Sequence, residues 1–333
     1  QGDLPLEFSH FFPPEILTAV SKFRGPRASA RRTARTASTT SAGSLDSGAG
    51  KSLIISIFHL RLQRCKAGFP EPTWKNSMAI LTEFDRDFFA QYGYLVRTDL
   101  LTPGEVRKFN RLFAADREKA PLRWVQRGTQ AGNYDALVTS PAFDKVIRHP
   151  LILQAVEELM GGPLCFGEIG IRHMGPYEGE PQQGWHRDRA HWPEHPLRMD
   201  YIQLMLYLTD VDESTHCFSL SPESVDNPIL EDKTKQLERD GAIDIHGPAG
   251  TVCLFNVAVL HTATTRPTRS ERKTVQIYYG HRQRPYLADD SLIPPMFWKD
   301  HPDPEVRAFY GNLNQITRLY LHAFGVDESA QPA

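Results

Sequence analysis

The chain has 333 residues, 40% of them hydrophobic and 23% charged, which is ordinary globular composition and excludes a collagen-like or wholly disordered protein. Its longest apolar run, Leu53 to Leu60, is broken by Ser56 and His59 and falls far short of the ~20 apolar residues a membrane helix needs, so no membrane span is expected. The net charge of −2 argues against a nucleic-acid partner. Four scattered cysteines, Cys65, Cys165, Cys217 and Cys253, form no CxxC pair and read as reduced thiols rather than a disulfide or zinc scaffold.

The charge is unevenly spread. Residues 1–77 hold 11 Lys and Arg against 5 Asp and Glu, and the remainder holds 27 against 35. Within the first part, residues 22–50 are rich in Arg, Ala, Ser and Thr without apolar periodicity, the composition of a segment unable to bury a core. Residues 1–77 are therefore expected to be a disordered or non-native extension. Two readings stay open: translated upstream sequence ahead of Met78, the first methionine, which goes with a cytoplasmic protein, or an organelle transit peptide.

From residue 78 the pattern is regular. Thr82 with Asp85 reads as a capping box before a helix with Phe84, Phe88 and Phe89, ending near Gly93, and Tyr94 to Val96 reads as a short strand. Thr102 and Glu105 form a second capping box, with Pro103 at the first helical position and Val106, Phe109, Leu112 and Phe113 at helical spacing. Further helices are expected from Ser140-Pro141 and from Pro150 to Met160, and the polar stretch Trp124 to Thr139 between helices reads as a lid or a plain connection.

After Pro163 the period becomes two, with apolar runs at 165–174, 200–208, 216–220, 242–246, 250–256 and 272–280 separated by turn residues. Short strands in such a series point to a sandwich or jelly roll. The stretch Pro304 to Phe324 reads as one closing helix with a stripe from Val306 to Phe324. Residues 78–333 are thus expected as one domain: a helical part at 78–162, a jelly-roll core at 163–285 and a helical closure at 286–333.

His186-Arg187-Asp188 is the first candidate site, because residues i and i+2 of a strand share a face and can hold one ion. The same pattern at His301-Pro302-Asp303 lies in a Pro-rich turn and reads as a loop and helix cap. His186 differs in having His261 downstream, just after the apolar run 250–256, and Arg272 eleven residues later. Two imidazoles and a carboxylate make the facial triad that holds non-haem Fe(II) with three positions open. A 2-oxo acid can chelate such an iron and leave a site for O2, and its far carboxylate then needs a cation. The planar guanidinium of Arg272 suits that role. For Arg172 two readings are open, a structural ion pair or an interior contact to an anionic substrate. His191 and Trp192 read as either pocket border or surface loop.

These residues resemble the phytanoyl-CoA dioxygenase family of Fe(II)/2-oxoglutarate oxygenases, including its ectoine-hydroxylase-like members. The resemblance rests on Gly184 to Asp188, Leu208 to Val211, Gly250 to His261, Arg272-Lys273 and the opening segment Tyr92 to Val96. It implies a mainly β fold with flanking helices around a double-stranded β-helix, the cupin-like jelly roll. It implies that His186, Asp188 and His261 ligate iron, that Arg272 anchors the far carboxylate of 2-oxoglutarate, and that Gln203 contacts the same co-substrate. The implied reaction hydroxylates an unactivated C–H bond of a small molecule, with 2-oxoglutarate and O2 as co-substrates and succinate and CO2 as products. Related halogenases replace the carboxylate ligand, so Asp188 points away from halogenation.

The chain departs from the family in two places. The usual Pro-Gly-Ser-His turn is Ser221-Pro222-Glu223-Ser224, preceded by Thr215-His216, and the polar residue often found two positions after the distal His is Ala263, which leaves two readings, Thr262 or Thr264 as a substitute or no such contact. The altered loop favours a second reading, a non-catalytic jelly-roll binding protein, and a third is a cupin-type metalloenzyme that does not use 2-oxoglutarate. A monomer or homodimer is expected.

Overall fold

The computed structural model describes residues 79–326, so the expectations placed on residues 1–77, Cys65 among them, lie outside the described residues. Ten strands follow in chain order: β1 (Tyr94–Arg97), β2 (Val125–Arg127), β3 (Gln130–Asn133), β4 (Leu164–Met174), β5 (Tyr201–Tyr207), β6 (Cys217–Leu220), β7 (Ile243–Ile245), β8 (Val252–Asn256), β9 (His261–Thr264) and β10 (Arg272–His281). They form a seven-stranded antiparallel sheet, β1-β8-β5-β10-β4-β3-β2, and a three-stranded one, β7-β6-β9.

Side chains alternate across the large sheet because a strand repeats every two residues. One face of it carries Ile169, Ile171, Ile202, Leu204, Leu206, Val275 and Ile277, which pack with the helices. The opposite face carries Met205, Tyr207, Cys253 and Phe255, which pack with Cys217, Phe218, Leu220 and Ile245 of the small sheet. That second layer is the interior of the cupin-like jelly roll, and the chain's polar candidates open from it. Cys165, Cys217 and Cys253 are free and buried, as a reduced core predicts.

The helices begin where their caps require. Thr82 accepts from Asp85 N and Asp85 accepts from Thr82 N, which starts α1 (Glu83–Tyr92), and the same reciprocal pair at Thr102 and Glu105 starts α2 (Pro103–Lys119). Two short helices, α3 (Ala136–Thr139) and α4 (Asp144–Ile147), precede α5 (Pro150–Met160), whose Ile152, Ala155, Val156 and Leu159 are buried. Then follow α6 (Lys233–Asp240), α7 (Pro295–Trp298), α8 (Pro304–Tyr310) and α9 (Gln315–Ala323). Asp303 caps α8 by accepting from Glu305 N, so His301-Pro302-Asp303 is the loop and cap expected of it.

Three features differ from the sequence expectation. The stretch Trp124 to Thr139 contains the hairpin β2-β3, which extends the large sheet beside β4, so the 78–162 part contributes three strands as well as helices. The closing helix is two helices, because Asn314 accepts from Thr317 N and starts a new one, and Leu319, Tyr320 and Phe324 are left exposed rather than on one buried stripe. The histidine of the distal site begins a strand of its own, β9, which is too short to show a period. Among the described residues no helix is long and apolar enough to cross a membrane.

Two left-handed glycines end α1 and α5, and their surroundings differ. Gly93 has φ +77°, and a Cβ there would lie 2.5 Å from Val259 Cγ2, whereas Gly161, at φ +67°, has nothing within 4 Å. Gly161→Ala should cost about 1 kcal/mol through backbone conformation alone. Gly93→Ala should cost about 2–3 kcal/mol because the contact adds to the strain. Urea denaturation of both variants checks this, and equal losses would remove the packing contribution.

Candidate metal and co-substrate site

The site is assembled from two chain segments held by a ladder of backbone pairs. Tyr177 pairs with Thr268, Gln182 with Thr265 and His186 with His261, and Asp188 N donates to Val257 O at 3.1 Å. His186 and His261 exchange two hydrogen bonds of 2.9 Å each. Their rings consequently lie on one side, with centroids 4.4 Å apart. The expectation that His186 and Asp188 share a strand is corrected: His186 makes a single bridge, and Asp188 follows it in a loop.

The geometry around the two imidazoles is pre-set. His186 Nδ1 lies 2.7 Å from Gly184 O and His261 Nδ1 2.8 Å from Val259 O, the carbonyl two residues back in each case. With Nδ1–H donating there, each Nε2 keeps its lone pair for a metal. Both Nε2 atoms lie 3.4 Å from an oxygen of Asp188, and one donor atom from each of the three residues falls within 4.8 Å of the others. Tyr278 donates its hydroxyl to Asp188 Oδ2 at 2.9 Å. Burial opposes the charge on Asp188, but the adjacent imidazoles of His186 and His261, with the hydroxyl of Tyr278, outweigh it and hold the carboxyl below its ordinary range. The nearby Asp188 carboxylate in turn pushes His186 up, against burial. Two neutral-capable imidazoles and an ionised carboxylate within reach of one ion are the donor set that suits Fe(II).

Arg272 stands at the start of β10 with 1% of its surface exposed. Its Nε and Nη1 are buried without hydrogen-bond partners, and no described acid pairs with it. Burial lowers its pKa. An unpaired charge in an interior costs several kcal/mol, so the site has the chemistry to take a carboxylate.

Gln203 lies on the same inner face, opposite Tyr278 and Phe255, and donates to Gln276 Oε1 at 3.1 Å. Thr262 accepts from Gly184 N at 2.8 Å and Thr264 from Gln183 at 3.0 Å. Both hydroxyls are therefore engaged in fastening the segment before His186 to β9. Arg172 forms no ion pair with a described acid, so the structural ion pair considered for it is absent; its guanidinium sits 5.3 Å from the Tyr134 ring centroid. Trp192 packs under Arg284, at 4.6 Å from guanidinium to ring centroid.

The altered loop explains itself here. Glu223 is 7% exposed, binds Arg187 Nη1 with one carboxylate oxygen and accepts from Leu260 N at 2.8 Å with that same oxygen, while the other lies 3.3 Å from His191 Nε2. Arg187 sits between His186 and Asp188, and Leu260 precedes His261. One carboxylate thus braces both segments of the triad. Neither Glu223 nor Tyr278 was singled out as part of the site on sequence; Tyr278 could have been found by its even spacing from Arg272 on β10, whereas Glu223 reads only as a departure.

A second group, Cys217, Asp244 and His246, also brings three donor atoms within 4.8 Å. There Arg266 Nη2 lies 2.6 Å from Asp244 Oδ2 and 3.3 Å from Cys217 Sγ, so the protein supplies its own cation.

The chain is similar to known proteins in sequence and in fold. The family model described as phytanoyl-CoA dioxygenase matches residues 89–274. An L-proline trans-4-hydroxylase of Streptomyces griseoviridis is 24% identical over 228 residues, covering 58% of this chain and 84% of that protein. Among solved structures, the non-haem alpha-ketoglutarate-dependent carbocyclase SnoK from nogalamycin biosynthesis is similar with a TM-score of 0.53 at 20% identity, covering 66% of this chain and 91% of its own. EctD from S. alaskensis with bound Fe is similar with a TM-score of 0.54 at 17% identity, covering 69% and 87%. These structural likenesses bear on the fold.

If Glu223 braces the triad, Glu223→Gln should weaken Fe(II) binding by about 10- to 100-fold, as loss of outer contacts to metal ligands does. Anaerobic Fe(II) titration reads this directly. An unchanged affinity in a folded variant would show that the ladder alone positions the histidines.

Proposed function

The chain belongs to the phytanoyl-CoA dioxygenase family and is an Fe(II)- and 2-oxoglutarate-dependent oxygenase, and from that premise we propose that it hydroxylates an unactivated C–H bond of a small molecule while 2-oxoglutarate becomes succinate and CO2. In this reading His186, Asp188 and His261 hold the iron, Arg272 pairs with the far carboxylate of 2-oxoglutarate, and Gln203 contacts the co-substrate from β5. When bound, the iron supplies the redox chemistry that couples decarboxylation of the 2-oxo acid to oxidation of the substrate.

The observation that carries the reading is Arg272. Its guanidinium is sealed inside the barrel on the same face of β10 as Tyr278, which touches Asp188, and two of its nitrogens have no acceptor. A dicarboxylate reaching from the triad toward β10's first residue supplies the missing charge. The residues around the triad do the remaining work: carbonyls of Gly184 and Val259 fix which imidazole nitrogen is free, and Tyr278 donates a hydrogen bond that orients Asp188. The altered loop, which favoured a non-catalytic reading on sequence, braces the site through Glu223. L-Proline, the substrate named for the relative from S. griseoviridis, is a reasonable first compound to assay.

Anaerobic titration with Fe(II) and then 2-oxoglutarate should produce the weak visible charge-transfer band of the chelate only when both are present, and His261→Ala should lose it. No band despite bound iron would contradict the reading. Arg272→Leu gives a sharper test. The apoprotein should become more stable, by about 1–4 kcal/mol, because an unpaired buried charge is removed. Its affinity for 2-oxoglutarate should fall about 100-fold or more, the loss of a bidentate charged pair. A 2-oxoglutarate KM equal to wild type would remove Arg272 from the anchor role.

A further inference from the structure

Tyr278 is an aromatic ring held against the metal site at both ends. Its hydroxyl donates to Asp188 Oδ2 at 2.9 Å, and that same oxygen lies 3.4 Å from His261 Nε2. The phenol is therefore one hydrogen bond away from the donor atoms of the triad. Tyr278 is 7% exposed and packs with Tyr201 and Val257, and Val257 O in turn accepts from Asp188 N at 3.1 Å. Ring, carboxylate and backbone close on one another and keep the ring beside the site.

Other aromatic side chains lie near the triad without that connection. Phe255 and Phe218 flank the His261 ring, with centroids 4.9 and 5.8 Å away, but neither carries a hydroxyl. Trp185 precedes His186, and its Nε1 donates to Gln183 at 3.2 Å. Outside the triad, Tyr278 is the one aromatic side chain among the described residues that hydrogen-bonds to a triad side chain. A phenol is also an electron-rich ring, because its oxygen feeds electron density to the carbons next to the C–O bond. Those carbons flank the hydroxyl that rests on Asp188. His186, by contrast, has half of its side chain exposed, so the triad is open to solvent and to O2 on that side. An oxygenase has to keep its oxidising power from side reactions. When 2-oxoglutarate and O2 are present and substrate is not, the C–H bonds at hand belong to the protein.

We propose that Tyr278 is a self-hydroxylation site: in turnover without substrate, the ring carbon beside its hydroxyl is oxidised and the phenol becomes a catechol. This rests on the oxygenase reading and adds the group that the same site oxidises when it is otherwise empty. 2-Oxoglutarate loses CO2 and becomes succinate, which takes one oxygen atom of O2. The other oxygen atom enters the ring: one C–H bond breaks, one C–O bond forms, and the displaced hydrogen ends on the new hydroxyl. The 2-oxo acid and the ring each supply two of the four electrons that reduce O2.

The test incubates the protein with Fe(II), 2-oxoglutarate and O2, adds no substrate, and measures succinate alongside tandem mass spectrometry of the peptides that carry Trp185, Phe218, Phe255 and Tyr278. The Tyr278 residue should gain the mass of one oxygen atom, and that atom should carry the isotope when labelled O2 is supplied. Leaving out 2-oxoglutarate should abolish the gain. Tyr278→Phe, which keeps a ring but loses the bond to Asp188, should lower hydroxylation at this position about tenfold or more, and an equal extent would overturn the role given to that bond. Succinate without added oxygen at Tyr278, or with the oxygen only on Trp185, Phe218 or Phe255, overturns self-hydroxylation at Tyr278 and leaves the oxygenase reading standing. Oxygen that appears on Tyr278 without 2-oxoglutarate, or that comes from water, is adventitious oxidation and overturns it as well. If no succinate forms, the oxygenase reading falls and self-hydroxylation falls with it.

Discussion

The pair of backbone hydrogen bonds between His186 and His261 is the constraint on which the rest of the site depends. The two residues lie 75 positions apart in the chain, and only β pairing puts their rings side by side. In an antiparallel bridge, opposed residues point to one face, so a single pairing decides that both imidazoles look inward. The rungs on either side, from Tyr177 and Thr268 to Asp188 and Val257, prevent a slip that would turn one ring outward. Each ring is then locked by a carbonyl two residues earlier in its own segment. Position comes from the ladder and tautomer from local sequence.

Electrostatics inside the barrel follow from that frame. Asp188 is stabilised as an anion by its neighbours, while Arg272 is a cation with no protein counter-charge. A fold that held only structural ion pairs would bring these groups together. It keeps them on separate elements. Carrying bare charges in an interior costs stability, and this chain offsets the cost with an apolar layer on each side: the helix-packed face of the large sheet and the cluster shared with β6, β7 and β8. The same low-dielectric surroundings that make the charges costly make them strong toward a ligand.

Much of this was legible in the sequence, for identifiable reasons. Both capping boxes and the start of α5 at Pro150 are set by local chemistry, so Thr82, Thr102 and Pro150 mark helix starts without tertiary help. The long strands β4, β5 and β10 show as apolar runs because they are buried on both faces. His186, Asp188, His261 and Arg272 stood out through residue type and spacing. Short elements did not: β2, β3 and β9 have three or four residues each, too few for a period. The break between α8 and α9 was missed because the apolar stripe runs through it in register, and only the Asn314 cap interrupts it. Glu223 was beyond sequence reasoning, since its partners Arg187, His191 and Leu260 are local neither to it nor, all together, to one another.

The most direct test of the account is the crystal structure of the anaerobic complex with Fe(II) and 2-oxoglutarate, with anomalous scattering recorded at the iron edge. The expected result is one iron peak within bonding distance of His186 Nε2, Asp188 and His261 Nε2, and the far carboxylate of 2-oxoglutarate paired with the Arg272 guanidinium. A peak at Cys217, Asp244 and His246, or a carboxylate held away from Arg272, would contradict it.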